Sequence, residues 1–91
     1  MTTWRFVVEG AVQGVGFRYF VRHRATALGL GGRVRNLRDG SVEVVAQGSP
    51  KALAELEAAL WRGPSLAKVS RVVHTENEDE VVFGSSFEIE R

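Results

Sequence analysis

Residues 9–20 read EGAVQGVGFRYF, and across this junction the apolar repeat changes from two to about 3.6 residues. Before it, Trp4, Phe6 and Val8 alternate with Arg5, Val7 and Glu9, the pattern of a strand with one strongly apolar face. After it, Phe17, Phe20, Val21, Ala25 and Leu28 recur at helical intervals, so the spacing predicts an amphipathic helix from about Arg18 to Leu28. A strand that becomes a helix within so few residues needs backbone angles that side-chain-bearing residues adopt only at a cost. Gly14 and Gly16 can supply them. At the far end, Gly29 or Gly31 can supply the left-handed residue that stops the helix.

The remaining signals are equally local. Val34, Asn36 and Arg38 share one face of a short second strand, and Asp39-Gly40 is a two-residue hairpin signal leading to Val42, Val44 and Ala46 of a third. Ser49 is placed to cap a second helix with Pro50 at its first position. Leu53, Leu56 and Leu60 form its apolar stripe, and Gly63-Pro64 stops it. The segment LAKVSRVVHTE reads as a fourth strand, ENEDE as an acidic turn, and a short final strand runs through Phe87 and Ile89.

The order β-α-β-β-α-β with a terminal strand predicts an α+β, ferredoxin-like split β-α-β sandwich. Two right-handed crossovers share a central hairpin, giving an antiparallel sheet with two helices on one face. With 91 residues and no repeat, linker or low-complexity tract, residues 1–91 are expected to form a single domain.

Composition excludes several classes of function. Apolar residues at 44% and charged residues at 25% are the balance of a soluble globular chain. The absence of cysteine removes disulfides, thiolate nucleophiles and zinc-thiolate sites. It fits a reducing compartment, and MTTWRFVV carries neither a leader pattern nor a long apolar run, so a cytoplasmic location without membrane contact is expected.

The net charge of +1 conceals an asymmetry. Residues 1–40 carry seven arginines against Glu9 and Asp39, net +5, whereas residues 41–91 carry five basic against nine acidic side chains, net −4. The positive half contains the glycine junction. An anionic ligand is one reading, solvated surface arginines the plain alternative.

In the expected topology the first two strands run in the same direction, so the glycine loop and Asn36 lie at the same edge of the sheet. A loop turned by Gly14 and Gly16 into a helix start aims several N–H groups at one spot, where the helix dipole is also positive; such concavities bind phosphate. Arg18 adds a guanidinium fork for two oxygens of a tetrahedral anion. A loop that merely turns a tight corner would look similar. The Walker pattern is excluded because no Gly-Lys-Ser/Thr follows, and a dinucleotide fingerprint lacks its third glycine where Tyr19 stands.

GVGFRYF also looks like the core of an RNA-recognition motif, which shares this topology. That core belongs on the third strand, whereas here the aromatics precede the first helix and SVEVVAQG has no ring. His23 and His74 are isolated histidines without triad or metal partners, and Glu76 to Glu80 lacks a calcium-loop pattern. Arg22, Arg24, Arg35 and Arg38 can raise the local potential but read first as surface residues.

GAVQGVGFR, from Gly10 to Arg18, and GRVRNLRDGSVEVVAQG, from Gly32 to Gly48, closely resemble the two signatures of the acylphosphatases. The resemblance implies hydrolysis of the carboxyl–phosphate anhydride of small acyl phosphates to a carboxylate and inorganic phosphate, with no metal and no cofactor. It further implies that Gln13, Gly14, Val15, Gly16, Phe17 and Arg18 hold the phosphoryl group, that Arg18 is the main ligand, and that Asn36 positions the attacking water. Inorganic phosphate is then expected as product and competitive inhibitor, and the protein as a monomer with no nucleic-acid partner. Members usually carry an aromatic residue where Arg33 stands here.

The chemistry accommodates this. A carboxylate leaves readily without a strong general acid, so the task reduces to positioning and charge stabilisation. Asn36 can hydrogen-bond a water but cannot deprotonate it, which leaves a phosphate oxygen to take the proton. The alternative from another class is a non-catalytic anion- or RNA-binding module on the same fold.

Overall fold

The alternating and helical repeats settle into seven elements in the computed structural model, which describes residues 1–76 and 82–91. They are β1 (Thr2–Ala11), α1 (Phe17–Ala27), β2 (Gly31–Asn36), β3 (Val42–Gly48), α2 (Pro50–Arg62), β4 (Lys68–Glu76) and β5 (Phe87–Ile89). Of the acidic run, Glu76 ends β4 and the rest lies outside the described residues.

The sheet order is β4-β1-β3-β2-β5. β1 pairs antiparallel with β3 and β4, and β2 antiparallel with β3, as expected. β5 joins β2 in parallel, so the complete sheet is mixed. The register explains why. Glu76 at the end of β4 opposes Trp4 near the start of β1, and Gly31 at the start of β2 shares Gln47 with Thr3 as neighbours. The chain therefore leaves β4 at the edge where β2 begins, and a strand entered from there runs alongside β2.

Both helices cover one face. Phe6, Val8, Val34, Val42, Val44 and Ala46 of the sheet are buried against Phe17, Val21 and Ala25 of α1 and Leu53, Leu56 and Leu60 of α2. Fully burying a side chain of this size contributes about 1.5–3 kcal/mol, which makes this interface the main source of the fold's stability. Among the described residues no helix is long and apolar enough to cross a membrane.

Two local expectations are refined. α1 starts at Phe17 and closes with a Schellman motif around Gly29, the Leu30 N–H donating to Ala25 O at 2.9 Å and the Gly29 N–H to Thr26 O at 3.1 Å. Gly31 instead opens β2. The β2–β3 hairpin has a three-residue loop, 38–40, rather than the two-residue turn expected. The Leu37 N–H donates to Ser41 O at 2.9 Å and the Gly40 N–H to Leu37 O at 3.2 Å. Asp39 Oδ1 takes the Ser41 N–H at 2.9 Å, a donor that a two-residue hairpin would have used across the ladder. Arg38 consequently lies in the loop, not beside Asn36 on the strand.

The face without helices is held by charge. Glu43 is buried between Arg5 and Arg35, each Nε lying 2.7 Å from one of its carboxylate oxygens. On the opposite, helix-covered face His74 of β4 packs on Trp4 with ring centroids 4.1 Å apart and lies 3.3 Å from Glu57 of α2. His23 is exposed on α1.

Candidate anion-binding site

The glycine loop bridges β1 and α1 by alternating handedness. Gly14 has φ 75° and Gly16 φ 77°, while Val15 between them keeps negative φ. A Cβ built on either glycine would meet nothing within 4 Å, so the dihedral angle, not space, selects glycine. Such alternation is the backbone of an anion nest.

Gly16 is also the N-cap of α1, and it brings no side-chain acceptor and no acid in the first turn. α2 differs, since Ser49 Oγ accepts its Ala52 N–H at 3.2 Å. In α1 the first helical bond is Phe20 N–H to Gly16 O at 3.1 Å, so the earlier N–H groups have no acceptor within the helix. An anion is the partner such a terminus favours.

Beside the loop lies a concave pocket of about 400 Å³ lined by Arg18, Tyr19, Arg22, Asn36, Ile89 and Arg91. Three arginines and no aspartate or glutamate line it. A larger concavity, about 640 Å³, lies at the opposite end of the sheet around Met1, Gly48 and Gly84, but no arginine or lysine lines it. Charge therefore selects the smaller pocket for an anion.

Each wall has a structural cause. Arg18 is half-buried in the first turn of α1, and its Nη1 donates to Glu90 O at 3.1 Å. Arg22 follows four residues later on the same helix face, its guanidinium 5.5 Å from the Tyr19 ring centroid. Asn36 is the last residue of β2, opposite Val42, half-buried at the edge where β1 also ends.

Arg18 and Asn36, expected at one site, are thus brought together. The other loop residues play different parts. The Phe17 ring is 2% exposed and packs on Phe20 with centroids 6.0 Å apart, so it anchors the start of α1 in the core. Val15 packs against that core. Gln13 Nε2 donates to Leu37 O at 2.8 Å and Ser41 O at 2.9 Å. Residues 13–17 do not line the pocket.

Tyr19, Ile89 and Arg91 escaped the sequence reading, and Arg22 was weighed only for its field. The helical spacing from Arg18 could have flagged Tyr19 and Arg22. Ile89 and Arg91 had no local signal, because they reach the pocket through the parallel pairing of β5 with β2.

Fold and pocket together define an α+β protein with an arginine-lined pocket at the carboxyl ends of β1, β2 and β5. The sequence profile of the Acylphosphatase family matches residues 4–89, and the chain belongs to that family of hydrolases. It is 59% identical over 75 residues to an acylphosphatase of Xanthomonas oryzae pv. oryzae, covering 82% of this chain and 85% of the relative. Its structure is similar to the crystal structure of acylphosphatase from Bacillus subtilis, with TM-score 0.94 and 38% identity over 100% of both chains. It is also similar to an acylphosphatase from Coxiella burnetii, with TM-score 0.90 and 42% identity over 98% of this chain and 92% of that one.

Proposed function

We propose that this chain hydrolyses the carboxyl–phosphate anhydride of small acyl phosphates, releasing a carboxylate and inorganic phosphate. The observation that carries the reading is the convergence of Arg18 and Asn36, from different elements, on one arginine-rich pocket without aspartate or glutamate, beside the uncapped start of α1. The main chain of residues 13–18 and the Arg18 fork hold the phosphoryl oxygens.

In the transition state charge spreads over the equatorial oxygens of the transferring group. A unit charge pair at 4 Å interacts by about 4 kcal/mol at an effective dielectric of 20, so one fixed guanidinium and several N–H groups can supply a large share of the barrier reduction. Only the part that strengthens on the way to the transition state accelerates the reaction. Asn36 hydrogen-bonds the incoming water and aims it in line with the departing carboxylate oxygen. The water's proton passes to a phosphoryl oxygen, since an amide cannot take it.

The outward residues of β3, Glu43, Val45 and Gln47, include no ring, which leaves that face without the stacking platform an RNA-recognition surface uses. Purified protein given acetyl phosphate in the presence of a chelator is expected to release phosphate well above the spontaneous rate, with inorganic phosphate inhibiting competitively. Release at the spontaneous rate would refute the reading. An oligonucleotide affinity falling steeply with salt would favour the binding-module alternative.

A further inference from the structure

Above Val8, β1 parts from β3. Its pairing with β3 stops at Val8 and Val42, while Glu9, Gly10 and Ala11 continue only along β4. The glycine loop therefore rises from one half of the divided sheet edge, and the hairpin that carries Asn36 rises from the other. Among the described residues, two hydrogen bonds cross from the loop to the hairpin, and both come from Gln13 Nε2, to Leu37 O at 2.8 Å and to Ser41 O at 2.9 Å.

We infer that Gln13 is a positioning residue. Its amide clamps the hairpin to the phosphate loop and so sets where Asn36 stands relative to the bound phosphoryl group. This rests on the proposed acyl phosphate reading of the pocket.

Leu37 directly follows Asn36, so holding its carbonyl fixes the chain one residue beyond the water-aiming amide. The two acceptors are also the residues that close the hairpin loop, through Leu37 N–H to Ser41 O at 2.9 Å. One NH₂ group with two fixed donors thereby fixes the loop's position at two points, and both donors are used. The loop it anchors contains Gly14 and Gly16, which have little torsional stiffness of their own. Without the clamp no hydrogen bond joins the loop directly to the hairpin, and the distance between phosphate cradle and Asn36 is left to side-chain packing and to the indirect path from Arg18 through Glu90 to Val34 of β2. Misplacement of a reacting group by about 1 Å can cost on the order of 10²-fold in rate, so the expected effect falls on kcat.

Gln13→Met keeps the length of the side chain and removes both donors. Leu37 O retains the Gly40 N–H and Ser41 O the Leu37 N–H, so neither carbonyl is orphaned and the fold is expected to persist, which thermal unfolding checks. With acetyl phosphate, kcat is expected to fall by roughly 10- to 100-fold, while the inhibition constant of inorganic phosphate stays within about threefold of wild type. Parallel loss of phosphate affinity would make Gln13 a phosphate ligand, and an unchanged kcat would show the clamp to be idle; either overturns the inference. A readout independent of turnover is the Asn36 side-chain NH₂ resonance in phosphate-saturated protein, together with hydrogen exchange at Leu37 and Gly40. Both are expected to change in Gln13→Met, and their constancy would likewise overturn it. If the wild-type protein turns over no acyl phosphate, the proposed reaction fails while these signals still decide the clamp.

Discussion

Arg18 Nη1 donates to the main-chain carbonyl of Glu90 at 3.1 Å, tying the first turn of α1 to the end of β5. The Glu90 N–H donates in turn to Val34 O at 2.8 Å, and its carboxylate lies 3.4 Å from Arg33 Nε. α1, β2 and β5 meet at the pocket rim through these contacts. An arginine already held by one N–H loses less freedom when its remaining donors engage an anion.

Arg18→Lys keeps the charge and loses the planar fork. kcat/KM for an acyl phosphate is expected to drop by at least roughly 10²–10³, the usual effect of removing a transition-state donor. Arg18→Gln is expected to abolish inhibition by inorganic phosphate as well. Steady-state kinetics with phosphate as inhibitor measure both.

Asn36→Ala removes the water-aiming amide and leaves the cradle intact. Turnover is expected to fall by about 10²-fold or more, while phosphate binding measured by calorimetry changes little. Equal loss of both would place Asn36 on the phosphate instead.

Gly16→Ala puts a Cβ on a residue at φ 77° with open space around it, so the penalty is torsional alone. A loss of about 1–2 kcal/mol in urea unfolding is expected. Gly16→Asn, which tolerates the left-handed region better, is expected to lose less.

Glu43 gives the stability a pH dependence. Burial pushes its carboxyl up, but hydrogen bonds and charge from Arg35 and Arg5 outweigh that and hold it below its ordinary value of 4.5. A carboxylate depressed in the folded state stabilises above its unfolded pKa, and that contribution is lost as pH falls through the folded one. Glu43→Ala is expected to destabilise by about 2 kcal/mol at neutral pH. The difference from wild type should shrink as pH falls below 4.5, read from urea midpoints across an acid series.

Much of the fold was legible because its signals are short-range. Ser49-Pro50 announced α2, the alternation from Trp4 to Val8 announced β1, and each was decided by contacts within a turn or a pleat. Arg18 and Asn36 could be placed at one edge by strand direction alone. The hairpin loop was misread by one residue because Asp39, which marks the turn, also captures the Ser41 N–H and lengthens it. Arg33, a departure from the aromatic usual in the family, has its guanidinium 5.9 Å from the Phe83 ring centroid and pairs with Glu90, partners no local pattern indicates.

By itself, then, the amino-acid order determined where the chain turns, which residues face the core and which loop offers bare N–H groups, since each depends on neighbours a few positions away. Only the tertiary structure decided that β5 lies parallel to β2, that Ile89 and Arg91 complete the pocket, and that the Gln13 amide grips the hairpin. Those relationships join residues far apart along the chain. Their geometry follows from how the whole sheet twists and closes, which no short window of sequence encodes.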